Sequence, residues 1–185
     1  MRHGLRRPSD VRRRDVLQIG GGLLLAGSPV SGRAASAEGV EIAMRGNADG
    51  SKVWFDPIGI HVEPGQIIRW TNCDPGNSHT TTAYHPRNAD HPRRIPQAAE
   101  PWDSDYLLPD QTFTLRLTIE GVFDYFCLPH EMAGMVGRIV VGRPCLETQC
   151  ERADDLGGAI PEEALLAFPR VEEVLRRGAV HLDMR

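Results

Sequence analysis

Lysine is nearly missing from this chain. Lys52 is the only one among 185 residues, and arginine supplies the rest of the 21 basic side chains. Seven of those arginines lie within residues 1–37, beside only two acids. With a formal net charge of −4 for the whole chain, residues 38–185 therefore carry −9. A surface of that sign is poorly suited to neutralising phosphates, which argues against nucleic acid as a partner. It would steer in a basic partner at low ionic strength. Long apolar runs are missing too. The stretch Ile19 to Ala26 is short and diluted by three glycines, well under the roughly twenty residues of a membrane span. Gly20-Gly21-Gly22 has neither a preceding strand nor a following Lys-Ser/Thr, so it is not a phosphate-binding loop. Cysteines number four, and the paired cysteines usual at a zinc site are absent.

At the start, Arg12-Arg13-Arg14-Asp15-Val16-Leu17-Gln18 follows a basic segment and precedes the apolar run, and Ala35-Ser36-Ala37 offers a small-x-small cleavage site. The paired arginines followed by x-Val-Leu-Gln resemble a twin-arginine export signal, an address rather than an anchor. An ordinary secretory signal with a chance arginine cluster is the alternative. Residues 1–37 are thus read as a signal peptide, and the product as a soluble periplasmic protein. No cysteine follows the cleavage site closely enough to take a lipid. Export to an oxidising compartment permits disulfides. Cys145 and Cys150 sit close enough to pair; Cys73 joined to one of them, or left alone and buried, are the alternatives.

The remainder reads as short strands divided by turns, an all-β pattern. Candidate strands are Val40 to Met44, Lys52 to Phe55, Gly59 to Val62, Gln66 to Thr71, Thr80 to Thr82, Thr112 to Ile119, Val122 to Cys127 and Met135 to Val141. Thr112 to Ile119 is the clearest, apolar at every second position. Glu63-Pro64-Gly65 is a turn, and Trp70 is a core candidate. The expected architecture is a Greek-key β-sandwich over residues 38–143. Between His79 and Thr112 the alternation fails, and the polar, proline-broken stretch from His85 to Asp105 reads as a surface excursion near one end of the sandwich, anchored by Trp102. The extension 144–185 ends in two short helices divided at Pro169, the first opened by Pro161 and the second closed by Arg176-Arg177-Gly178. Their apolar stripe, Leu165, Phe168, Val171, Val174 and Leu175, is expected to pack on the sandwich flank. A docking surface is the alternative.

One stretch carries most of the chemistry. Cys127-Leu128-Pro129-His130-Glu131-Met132-Ala133-Gly134-Met135 places a thiol, an imidazole and a thioether on a single short loop. Completed by a histidine from elsewhere, that is the two-imidazole, one-thiolate, weak-thioether set of blue-copper electron transfer. His79, preceded by the Asp74-Pro75-Gly76-Asn77-Ser78 turn, is the candidate, with His85 its competitor. Met135, with four residues between it and His130, is the better axial candidate than Met132, which has one residue between, on the spacing that the family resemblance given below implies. His61, His91 and His181 read as solvated or capping residues. Pro129 removes one backbone N–H that could have bonded to the sulfur. The metal ligands are therefore expected to be His79, Cys127, His130 and Met135, around one type 1 copper ion.

The pattern Cys-x-x-His-x-x-x-x-Met after an aromatic-rich strand, with a histidine some fifty residues upstream, resembles the cupredoxin family in its pseudoazurin, plastocyanin and halocyanin branch. The resemblance covers roughly Val40 to Gly142. It departs at Thr80, where relatives often carry an Asn hydrogen-bonded across to the cysteine loop. It implies a periplasmic carrier of single electrons, not an enzyme, meeting redox partners through a small transient interface near His130. Leu128, Pro129, Met132, Ala133 and Gly134 form its apolar rim, with a charge contact from Glu131. A copper-delivery protein, its site regulated by the His85–Asp105 excursion, is the alternative. A copper enzyme such as a nitrite reductase needs a second copper and a second domain, for which the chain has no room.

Overall fold

The computed structural model describes residues 39–144 and 159–183. The proposed signal peptide and the pairing of Cys145 with Cys150 lie outside the described residues. Cys73 is exposed rather than buried.

Among the described residues, nine strands form two sheets. β1 (Val40–Gly46), β2 (Val53–Asp56), β4 (Ile67–Asn72) and β6 (Thr112–Arg116) make the first, in the order β2-β1-β4-β6. β3 (Gly59–Val62), β5 (Thr82–Ala83), β7 (Gly121–Phe126), β8 (Val136–Val141) and β9 (Ala179–Val180) make the second, in the order β5-β7-β8-β3-β9. β1 runs parallel to β4 and β3 to β8, and the other pairs are antiparallel. This is the expected β-sandwich. Alternation fills its centre: β1 turns Ile42 and Met44 inward, and β4 buries Ile68 and Trp70 on either side of exposed Arg69. Ile60, Val62, Phe123, Tyr125, Ile139 and Val141 join the same core from the second sheet. Trp70 meets Tyr125 edge-on with ring centroids 5.5 Å apart. Each such large side chain contributes about 1.5–3 kcal/mol by leaving water.

β7 and β8 are buried on both faces because the C-terminal tail covers the outer one. Helix α1 (Glu162–Ala167) packs Ala164 against Tyr84, Phe126 and Val136. Helix α2 (Val171–Arg177) packs Val174 against Ile58, Val140 and Val180. The division at Pro169 is as expected, but the stripe is shifted. Leu165 is exposed, and the small Ala164 faces the sheet in its place. No helix among the described residues is long and apolar enough to cross a membrane.

Two strands are shorter than their sequence pattern. β6 stops at Arg116, and of Thr80-Thr81-Thr82 only Thr82 enters a strand. The amides of Thr80 and Thr81 go instead to the Cys127 sulfur and the Ser104 hydroxyl. The His85–Asp105 segment also departs from a simple surface excursion. Trp102 anchors it, donating from Nε1 to Thr81 Oγ1 at 3.1 Å. Ile95 and Ala99 of the segment are buried in the main core as well.

A buried charge cluster ties segment, sheet and tail together. Asp124 on β7 accepts from Arg94 of the segment at 2.7 Å and from Arg138 of β8 at 2.7 Å. Arg138 also donates to the Pro169 carbonyl, and both guanidinium groups lie about 5 Å from the centre of the Phe168 ring (4.9 and 5.1 Å). Asp124→Ala leaves two partly buried cations without their counter-charge, so it is expected to lower stability by about 3 kcal/mol. Chemical denaturation of the protein measures this; a loss under about 1 kcal/mol would show that the cluster braces nothing.

Candidate metal centre

The second sheet delivers the site. β7 ends at Phe126, the chain passes through a 3₁₀ helix (Leu128–Ala133), and β8 begins at Val136. The loop closes on itself: Cys127 N donates to the Met135 carbonyl at 2.9 Å, and Met135 N donates to the His130 carbonyl at 3.2 Å. Gly134 caps the helix in the left-handed region at φ 76°, a conformation that costs glycine little. His79 arrives from the turn after β4, held by paired backbone hydrogen bonds with Leu107 at 3.1 and 2.8 Å.

Three of the four expected ligands converge. Cys127 Sγ lies 3.5 Å from His79 Nδ1 and 3.4 Å from His130 Nδ1. All three ligand atoms lie within 4.8 Å of one another, a spacing that can hold one ion. Metal bonds of about 2.0–2.3 Å to nitrogen and sulfur span such gaps. Met135 is fully buried and belongs to the same core cluster as Cys127, whereas Met132 is 72% exposed. His85 stands outside the group; its Nδ1 accepts from the Arg87 amide. His61 bonds the Gly142 carbonyl and His181 pairs with Asp56.

Burial sets the electrostatics. It pushes the Cys127 thiol up to about 12, against the opposing pull of the Thr80 and His130 amides. Burial also holds His79 below the usual imidazole value, although Asp74 opposes this. His130 is lowered by burial first and by His79 second. Both imidazoles are therefore neutral near pH 7, as a metal ligand requires.

Thr80 supplies the cross-link that the sequence left without an asparagine. Its amide donates to Cys127 Sγ at 3.3 Å, and its Oγ1 accepts from the Leu128 amide at 2.8 Å. Two further expectations need correction. Glu131 does not charge the rim: it is buried and accepts from Tyr84 Oη at 2.6 Å and from His91 Nε2 at 2.8 Å. His91 is not solvated, because its ring stacks on Phe126 with centroids 4.5 Å apart.

Asp74 was legible only as a turn residue. Its carboxylate accepts from His79 Nε2 at 2.9 Å, from the Gly76 amide at 2.9 Å and from Asn77 Nδ2 at 2.9 Å. The Asp-x-Gly spacing, which favours a side-chain-to-backbone turn, was the one available signal.

Thr80→Val keeps the amide but strands the Leu128 N–H. A cost of about 1–2 kcal/mol is expected in the metal-free protein, read by denaturant titration. The lowered histidines also carry a sign. Their folded values lie below an unfolded value of about 6.5, so the stability they give is present above that pH and lost as pH falls through it. Thermal melts of the metal-free protein from pH 7.5 to 5.0 should fall below about pH 6.5, and a flat profile would contradict the burial of both rings.

Comparison with known proteins agrees with this geometry. The profile described as copper binding proteins, plastocyanin/azurin family, matches residues 42–142. A chloroplastic plastocyanin of Tetradesmus obliquus is 28% identical over 121 residues, covering 63% of this chain and 77% of that protein. A pseudoazurin of Methylorubrum extorquens is 29% identical over 109 residues, covering 58% of this chain and 65% of that protein. Among solved structures, a pseudoazurin from Sinorhizobium meliloti superposes with a TM-score of 0.53 at 26% identity, covering 75% of this chain and 97% of that one. With this profile match, the pseudoazurin-like fold and a buried His-Cys-His cluster, the chain belongs to the plastocyanin/azurin family of copper-binding proteins, and its cofactor is one type 1 copper ion.

Proposed function

We propose that this chain is a periplasmic single-electron carrier, exported by a twin-arginine signal in residues 1–37. His79 Nδ1, Cys127 Sγ, His130 Nδ1 and the Met135 thioether would hold the copper ion. The observation that carries this reading is the pair of imidazole nitrogens 3.5 and 3.4 Å from one buried sulfur. Two nitrogens, a thiolate and a thioether form a compromise between the geometries that the two oxidation states prefer. When bound, copper supplies a one-electron couple: one electron is accepted from a donor protein and one is passed on, with no bond made in either partner.

The residues do the remaining work. Cys127 and His79 are fully buried, and the loop hydrogen bonds hold the donors in place whichever oxidation state is present. Such rigidity keeps rearrangement small. Cys127 gives up its proton on loading, and metal coordination rather than solvent drives that loss. His130 is the ligand with an exposed edge. Around it Leu128 is 40% and Met132 72% exposed, with Pro129 and Ala133 beside them. That rim suits a brief encounter of less than about 1,200 Å², and the acidic remainder of the surface favours a partner with basic groups.

The copper-delivery reading drew on the His85–Asp105 segment as a gate. Its burial of Ile95, Ala99 and Trp102 in the core weighs against free movement there. Adding Cu(II) to the mature chain should produce an intense visible thiolate-to-copper band that survives repeated redox cycling. Cys127→Ser should abolish it. Absence of the band in the unaltered chain would overturn the proposal, and rapid loss of copper to a chelator would favour delivery instead.

A further inference from the structure

We propose that Asp74 is the positioning residue of the copper site: its carboxylate holds the His79 proton on Nε2, aims bare Nδ1 at the Cys127 sulfur, and places a negative charge behind the imidazole that favours Cu(II) over Cu(I). This inference rests on the ligand set proposed above. Its own ground is the contact of His79 Nε2 with Asp74 Oδ2 at 2.9 Å, between side chains 0% and 4% exposed. An ionised carboxylate only accepts hydrogen bonds, so the proton of a neutral His79 belongs on Nε2. That choice leaves Nδ1, the nitrogen facing Cys127, with a free lone pair.

The carboxylate cannot readily swing away. The Gly76 amide and Asn77 Nδ2 also donate to it, each at 2.9 Å. Its own amide donates to Asn72 Oδ1 at 2.9 Å, and Asn72 Nδ2 reaches the carbonyls of Asn77 and Leu107, each at 2.9 Å. Gly46 closes the cradle, since a Cβ there would collide with Asp74 Oδ2. Any larger residue at the end of β1 would push the carboxylate off His79. The whole arrangement is aimed at one imidazole nitrogen, on the side away from the sulfur.

A carboxylate behind a metal-bound histidine fixes the ring and raises its basicity, and losing one typically costs 10- to 100-fold in metal affinity. The buried negative charge also attracts the doubly charged ion more strongly than the singly charged one. Asp74→Asn preserves shape and one acceptor oxygen while removing the charge. Competition with chelators should show Cu(II) affinity falling about 10-fold or more, with Cu(I) affinity falling less. The reduction potential should rise accordingly; a tenfold loss confined to Cu(II) corresponds to about 59 mV for one electron. Asp56→Asn serves as the control, because it removes the same charge from a carboxylate that pairs with Arg45 and His181 rather than with a proposed ligand. It is expected to leave the potential in place.

Nitrogen NMR of the unaltered, metal-free chain tests the same point without any substitution: His79 should be neutral with its proton on Nε2. A proton on Nδ1 would overturn the inference even if no variant folded. So would an Asp74→Asn protein whose Cu(II) affinity stays within twofold of the unaltered chain with its potential unmoved, or an Asp56→Asn protein that shifts the potential equally. If the unaltered chain forms no thiolate-to-copper band, the ligand set itself fails. If it forms the band and Asp74→Asn matches it in affinity and potential, only the role of Asp74 fails.

Discussion

A thiol removed from water must find its electrostatic company inside the protein, and most of the metal end can be understood from how Cys127 does so. Its sulfur has no exposure, and its surroundings are two imidazole nitrogens and the Thr80 amide. Burial alone would hold the group protonated, so the site is useful only to a partner able to displace that proton, which a copper ion is. Everything that aims the two histidines therefore bears on whether the buried sulfur is a ligand or merely a core residue. The His79–Leu107 backbone pairing, the Asp74 contact and the Thr80 cross-link all act on that aim.

Segments outside the usual strand pattern converge on the hairpin that carries the loop. The tail helices cover the outer face of β7 and β8, and the His85–Asp105 segment lies along the edge of the same sheet. Asp124 gathers Arg94 from one and Arg138 beside the other, with Phe168 under both guanidinium groups. Nearer the site, Glu131 joins Tyr84 to His91 directly beneath the ligand loop. The segment and the tail are thus braces for the loop's base. The loop's outer surface keeps Leu128 and Met132 exposed beside the half-buried His130.

Sequence by itself determined the local order of the proposed donor residues. Cys127, His130 and Met135 fall within nine residues, so one short loop relates them, and Trp70 on the strand Gln66 to Thr71 was readable as a core residue. Helix boundaries at Pro161, Pro169 and Gly178 were readable for the same local reason, since proline and glycine act on the backbone where they stand. Only the tertiary structure decided which polar residues stand behind the ligands. Thr80 meets Cys127 across 47 positions and Glu131 meets Tyr84 across 47 more, while Asp74 looked like an ordinary turn former until the fold buried it against His79. Such partners are chosen by burial: a hydrogen-bonding group sealed from water must be satisfied by whatever the sandwich brings alongside, and no periodicity in the chain announces what that will be.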